Sequence, residues 1–302
     1  MQFIDLKAQY RSLKTEIDTN IQAVVDSALF IGGPFVRELE EKLAAFTGRK
    51  HCITCANGTD ALQIAYMVAG IGSGDAVFCP DMTFISSTEP AKMFGATSVF
   101  CDITPDTYCL CPESLERQIQ AVRAEGKLSP KAVVAVDILG NPCDYDTIGT
   151  ICEKYGLFLI EDAAQSFGAS YHGKRAGAFG HIATTSFFPA KPLGCYGDGG
   201  AIFTDDDHAA ELIRSLCVHG KGPGGKYDNI RVGMNSRLDA IQAAVLLPKL
   251  KALDTYEIDA RQTVARRYNE AFAGRFVTPF VAGGCVSAWA QYALRAKDTA
   301  RR

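Results

Sequence analysis

The chain has 302 residues, 47% of them hydrophobic and 22% charged, which is ordinary globular composition and enough length for one large domain and a smaller one. Its net charge is -3, from 31 basic and 34 acidic residues without a block of like sign, and this argues against nucleic acid or a membrane surface as partner. The opening "MQFIDLKAQYRSLK" alternates charged and apolar residues without a signal-peptide core. No apolar run reaches the roughly 18 residues of a span, so a cytoplasmic protein is expected. The 11 cysteines, an odd number, sit in apolar segments such as "AVFCP" and read as reduced and buried.

In chain order, "PFVRELEEKLAAFTG" has helical apolar spacing, with Pro34 in the first turn and Gly48 as the stop. "CITC" matches a CxxC spacing at Cys52 and Cys55, but with no second pair it reads as a strand and no metal is expected. Six more short apolar runs follow, "AVFCP", "TSVFCD", "KAVVAV", "LFLIED", "IATTSFF" and "AIFT", with helical patterns between them such as "YDTIGTICEKYG", which ends at Gly156. That alternation predicts an α/β fold, a mostly parallel sheet covered by helices on both faces. From Leu238 to about Ala273 the pattern is helical, and strand-like residues return near "VSAWAQYAL". The shift sets a boundary near residue 250, giving a large domain over 1–249, with an N-terminal arm over 1–25, and a partial small C-terminal domain over 250–302.

Open α/β sheets bind ligands at the carboxyl ends of their strands, so the polar residues there are the candidates. "CANGTDALQ" follows a strand and opens a helix at Thr59 or Asp60. Asn57, Gly58 and Thr59 then offer an anion site at a helix N-terminus, or a turn capped by Thr59 or Asp60. Phe84, in the loop after "AVFC", stacks on a flat ligand or packs in the core. "LFLIED" ends on Glu161 and Asp162, acids that need a cationic partner when desolvated, with Gln165 a short step beyond. Ser186 ends the strand before Lys191, which lies between Pro189 and Pro192 and ahead of Gly194, Gly197, Gly199 and Gly200. A solvated lysine needs no such stiff setting.

An anion cradle, a stacking ring, a carboxylate for a protonated ring nitrogen and a positioned amine together fit pyridoxal 5'-phosphate. An NAD-dependent oxidoreductase lacks its glycine fingerprint here, since "GIGSGD" does not match GxGxxG. The five histidines show no metal-ligand spacing; His219 lies in a glycine-rich loop, and Asp205 to Asp207 reads as the cap of a helix starting near His208.

"ANGTDALQ", "EDAAQSFGASY", "TSFFPAKPLGCYGDGGAIFTDD" and "GMNSRLDAIQAAVLLPKL" resemble, in this order, the nucleotide-sugar aminotransferases of the DegT/DnrJ/EryC1/StrS family. The resemblance implies the three-layer α/β/α, seven-stranded fold of the type I pyridoxal-phosphate enzymes. It makes Lys191 the Schiff-base lysine, Asp162 the partner of the pyridine nitrogen, Gln165 a neighbour of the ring O3' and Phe84 the stacking ring. Gly58, Thr59 and Ser186, with Asn57 beside them, are then the phosphate holders. Asn235 is expected to reach the cofactor of the other subunit in a homodimer with shared sites, and Arg237 to lie near the substrate or to make a structural ion pair.

The activity implied is a two-stage exchange in which glutamate aminates the cofactor and the cofactor aminates a ketone on a nucleotide-linked sugar. The pattern is most like enzymes acting on C3 of a UDP-linked 3-keto-2-acetamido hexuronic acid, for O-antigen and related surface polysaccharides. C4 of a UDP- or dTDP-linked 4-keto-6-deoxy sugar is the alternative. The family continues past "WAQYALRAKDTARR", so a shortened form with exposed apolar surface is expected, and with it a second class of reading, a non-catalytic regulatory or structural homologue.

Overall fold

A computed structural model describes residues 4–225 and 227–296, so the ends of the expected arm and small domain, 1–3 and 297–302, lie outside the described residues. All seven apolar runs are strands of one sheet: β1 (His51–Cys55), β2 (Asp75–Pro80), β3 (Thr97–Cys101), β4 (Ser129–Val136), β5 (Phe158–Asp162), β8 (Ile182–Ser186) and β9 (Gly200–Thr204). Their order is β1-β9-β8-β5-β4-β2-β3, parallel from β8 through β3, with β9 antiparallel to both neighbours. Two-residue strands β6 (Ser170–Tyr171), β7 (Lys174–Arg175) and β10 (Cys285–Val286) form a second small sheet. The strand-like residues expected near the C-terminal end thus begin at β10.

The helices are α1 (Leu6–Ser27), α2 (Pro34–Thr47), α3 (Gly58–Val68), α4 (Glu89–Met93), α5 (Pro112–Glu125), α6 (Tyr145–Tyr155), α7 (Asp207–Leu216), α8 (Ala240–Ala252) and α9 (Ile258–Phe272). Pro34 occupies the first turn of α2, where its missing N–H costs no hydrogen bond, and Gly48 ends that helix at φ +78°, a conformation with no Cβ penalty for glycine. Gly156 closes α6 in the same way. Asp206 caps α7 by accepting from the Ala209 N–H at 3.0 Å, so the acidic run does start a helix there. The long helical stretch is also found, with α8 and α9 joined by a wider π turn over Leu253–Glu257.

The sheet separates two apolar clusters. One gathers Tyr66, Phe78, Val133, Ile148 and Ile160 under α3, α5 and α6, and the other packs Leu43, Phe167, Phe187, Phe203 and Leu246 under α2 and α8. All eleven cysteines are free thiols, with Cys52 and Cys55 buried in β1, so "CITC" is a strand as its pattern indicated. Among the described residues no helix is long and apolar enough to cross a membrane.

Candidate active site

At the carboxyl ends of β5 and β8 lies a cavity of about 610 Å³. Asn57, Gly58, Thr59 and Phe84 line it from one side, and Asp162, Gln165, Ser186 and Lys191 from the other. Eight of the ten residues singled out by the sequence therefore meet at one place. Asn235 and Arg237 do not line this cavity; both are exposed, and the Arg237 guanidinium donates to the Asn235 side-chain carbonyl.

The turn before α3 corrects one expectation. The cap is Asn57, with extended backbone, whose Oδ1 accepts from the Asp60 N–H at 2.8 Å, and the helix opens at Gly58. Thr59 is spared for another contact, Oγ1 to Ser86 Oγ at 2.8 Å. As first-turn residues, Gly58 and Thr59 have N–H groups without intrahelical acceptors, at the positive end of the helix dipole. A Cβ on Gly58 would lie 2.6 Å from the Ser186 Cβ, and one on Gly200 would lie 2.5 Å from the Asn57 carbonyl oxygen. The cradle closes to this spacing because both positions are glycine.

Phe84 is 66% exposed and borders the cavity, which excludes a core role. Its loop also braces the acid opposite, where Ser87 Oγ donates to Asp162 Oδ2 at 2.8 Å and is itself paired with Thr83 Oγ1 at 2.8 Å. The Ala164 N–H donates to Asp162 Oδ1 at 3.2 Å. Glu161, one residue earlier on the strand, points the opposite way and is consumed by the fold. Its two oxygens accept from the Gly177 and Phe179 N–H groups, each at 2.7 Å. Gln165 Oε1 accepts from the Leu139 N–H at 2.8 Å, which fixes its amide and leaves the NH₂ end for a ligand. Leu139 holds that position at φ +61°, a strained conformation of the kind that collects at binding sites.

Burial pushes the Asp162 carboxyl above the usual carboxylate range, with the Ser87 and Ala164 hydrogen bonds and the nearby Lys191 charge holding it back. Burial likewise pulls the Lys191 amine below the usual lysine range, against the Asp162 charge. An acid short of a cation and an amine ready to lose its proton therefore share one cavity. Ser87, which braces Asp162, Leu139, which fixes the Gln165 amide from outside the cavity, and Gln291, which lines it, are residues that the sequence did not reveal, because none stands in a pattern of its own.

The donor set fits pyridoxal 5'-phosphate: a glycine cradle with free first-turn N–H groups for a phosphate, an aromatic face, a buried acid for a protonated ring nitrogen, and a desolvated amine. Sheet, cavity and donor set together define the site of a pyridoxal-phosphate-dependent enzyme. The model of the DegT/DnrJ/EryC1/StrS aminotransferase family matches residues 11–302, and the chain belongs to this family.

The chain is 49% identical over 296 residues to the UDP-2-acetamido-2-deoxy-3-oxo-D-glucuronate aminotransferase of Pseudomonas aeruginosa, covering 98% of this chain and 80% of the relative. A DegT DnrJ EryC1 StrS aminotransferase from Brucella abortus superposes with a TM-score of 0.97 at 50% identity, covering 100% of this chain and 80% of that one. The Bacillus subtilis protein ntda, solved with bound cofactor pmp, superposes with a TM-score of 0.86 at 26% identity, covering 98% of this chain and 67% of that one.

Proposed function

We propose that the chain moves an amino group from glutamate to C3 of a UDP-linked 2-acetamido-2-deoxy-3-oxo hexuronic acid, in the supply of diamino sugars for bacterial surface polysaccharides such as O-antigen. The observation that carries this reading is the 49% identity to the Pseudomonas aeruginosa enzyme of that substrate, over a stretch that includes the eight predicted residues lining the cavity. The retained Lys191 and Asp162 speak against a non-catalytic homologue.

Bound pyridoxal 5'-phosphate supplies an electron-accepting ring that lets a carbon-bound proton leave. Around it, Gly58, Thr59 and Ser186 hold the phosphate, with Asn57 fixing the turn that presents them. Phe84 would pack against the ring, and the free NH₂ of Gln165 would donate to an oxygen of the ring. Asp162 keeps the ring nitrogen protonated, the cation its buried carboxyl lacks. Lys191 Nζ would hold the cofactor and would move a proton at the reacting carbon, a task suited to an amine whose pKa burial depresses. Asn235 and Arg237, exposed and away from their own cavity, serve the site of a second copy in a homodimer. Arg237 there pairs with a carboxylate or phosphate of the substrate.

We keep the division into a large domain over 1–249 and a small domain from 250, within the continuous α8–α9 helical stretch, and a cytoplasmic location. The test is incubation of the purified chain with cofactor, glutamate and the 3-oxo UDP-sugar, with mass spectrometry of the sugar. Replacement of the sugar's keto oxygen by an amine, matched by 2-oxoglutarate, is expected. Amination of a 4-keto-6-deoxy sugar nucleotide in its place would overturn the C3 assignment.

A further inference from the structure

Lys191 lies in an irregular segment between β8 and β9, outside any sheet or helix. Within that segment Lys191 N–H donates to the Phe188 carbonyl at 2.9 Å, and its base is closed by Cys195 N–H to the Phe187 carbonyl and Phe187 N–H to the Gly199 carbonyl, each at 2.7 Å. The segment doubles back tightly, since a Cβ on Gly194 would fall 2.5 Å from the Pro189 carbonyl oxygen. Three side chains from α8 and α9 grip the outgoing limb at alternate residues. Arg261 Nη2 donates to the Pro192 carbonyl at 3.1 Å, Lys249 Nζ donates to the Gly194 carbonyl, and Gln242 Oε1 accepts from the Tyr196 N–H at 2.8 Å.

Lys249 is 2% exposed, in the wall of an otherwise apolar cluster, with its ammonium 5.1 Å from the centre of the Tyr196 ring. Burying an ammonium is costly, and an apolar residue of similar volume there would serve packing as well or better. The cost is visible in its pKa, pushed down to about 8 by burial, with Glu257 opposing and Arg261 reinforcing the shift. Arg261 is bound to a second backbone carbonyl, Ala288, at 3.1 Å, and pairs with Glu257 at 3.5 Å. Both cations therefore donate to backbone carbonyls, Lys249 to Gly194 and Arg261 to Pro192 and Ala288.

We infer that Lys249 and Arg261 are positioning residues, which pin the carbonyls of Gly194 and Pro192 and thereby hold Lys191 Nζ in its desolvated place beside Asp162. This rests on the reading of Lys191 as the cofactor's amine, but its test does not require the cofactor.

The experiment uses the full chain without cofactor, given brief pulses of acetic anhydride across about pH 7 to 11, with peptide mass spectrometry of Lys191 against a free lysine peptide acetylated in the same solution. In the wild type Lys191 should half-react at lower pH than the free peptide, because burial depresses it. In Lys249→Met the midpoint should move up toward that of the free peptide, and the limiting rate should rise on the order of tenfold as the segment loosens. Lys249→Arg, still able to donate to Gly194, should restore the wild-type profile. Arg261→Gln should move Lys191 in the same direction by less, and it carries the test if Lys249→Met fails to fold. With pyridoxal 5'-phosphate added, the Lys191-dependent visible band should need on the order of tenfold more cofactor in Lys249→Met. Unchanged Lys191 profiles in both variants, with only the melting temperature lowered, would overturn the inference. A wild type without a visible band would instead overturn the cofactor role of Lys191, while the acetylation profiles still decide the positioning role.

Discussion

Two buried acidic regions lie back to back on β5 and differ in what remains unbonded. Glu161 and Asp162 are consecutive, both are buried, and desolvation pushes both carboxyls above the usual range. On the Glu161 side the acids are saturated by the protein. Glu161 takes the Gly177 and Phe179 N–H groups, and Asp137 takes the Cys143 N–H, the Tyr145 hydroxyl and the Ser166 hydroxyl. On the Asp162 side the acid has the Ser87 hydroxyl and one longer backbone contact, and it borders a cavity shared with a lysine. A shifted pKa is thus common to structural and functional acids; spare bonding capacity facing a cavity distinguishes them.

The sharpest break of this comparison is Asp162→Asn. An amide cannot hold a ring nitrogen protonated, so turnover should drop by about a hundredfold or more, near 3 kcal/mol of barrier, while circular dichroism and melting stay close to wild type. Glu161→Ala should do the reverse. Two buried N–H groups lose their acceptors at about 1–3 kcal/mol each, seen in denaturant unfolding, and the cofactor's visible band per folded molecule should persist.

An effect of comparable size, confined to a pH window, concerns Asp137, whose carboxyl burial raises from 3.8 to about 6. A raised folded-state pKa means that the contribution of this acid is full below the unfolded value and is lost as pH rises through the folded one. Unfolding free energies of the wild type and Asp137→Asn should therefore diverge in favour of the variant between about pH 4 and 6, by up to roughly 3 kcal/mol. Parallel stability curves would show that Asp137 ionises normally in the fold.

The sheet was legible because its strands are short apolar runs bounded by glycine, proline and acids; all seven are where the pattern put them. The antiparallel direction of β9 was not, since the run "AIFT" reads the same either way. Helix α1 was missed although Leu6, Tyr10, Leu13, Ile17, Ile21 and Val24 recur at helical spacing, because the opening residues read as an alternation of charged and apolar side chains; only Ile17 and Val24 are buried. At the site, Lys191 announced itself through flanking prolines and glycines. Period-two alternation predicts that Glu161 and Asp162 face opposite ways, but it does not say which side holds the cavity. Lys249 was invisible for a related reason: in "LLPKLKAL" a buried lysine and the exposed Lys251 look alike, and the difference comes from the Gly194 carbonyl 55 residues away in sequence. Asn57 took the cap that Thr59 or Asp60 seemed equally able to fill, while the Thr59 hydroxyl pairs with Ser86.

The central claim is that Lys191 and Asp162 form a working cofactor site in this chain. The most direct measurement is the absorption spectrum of the purified chain with pyridoxal 5'-phosphate, beside that of Lys191→Ala, before and after glutamate. A visible band is expected in the wild type alone, displaced when glutamate is added. Identical spectra from the two proteins would contradict it.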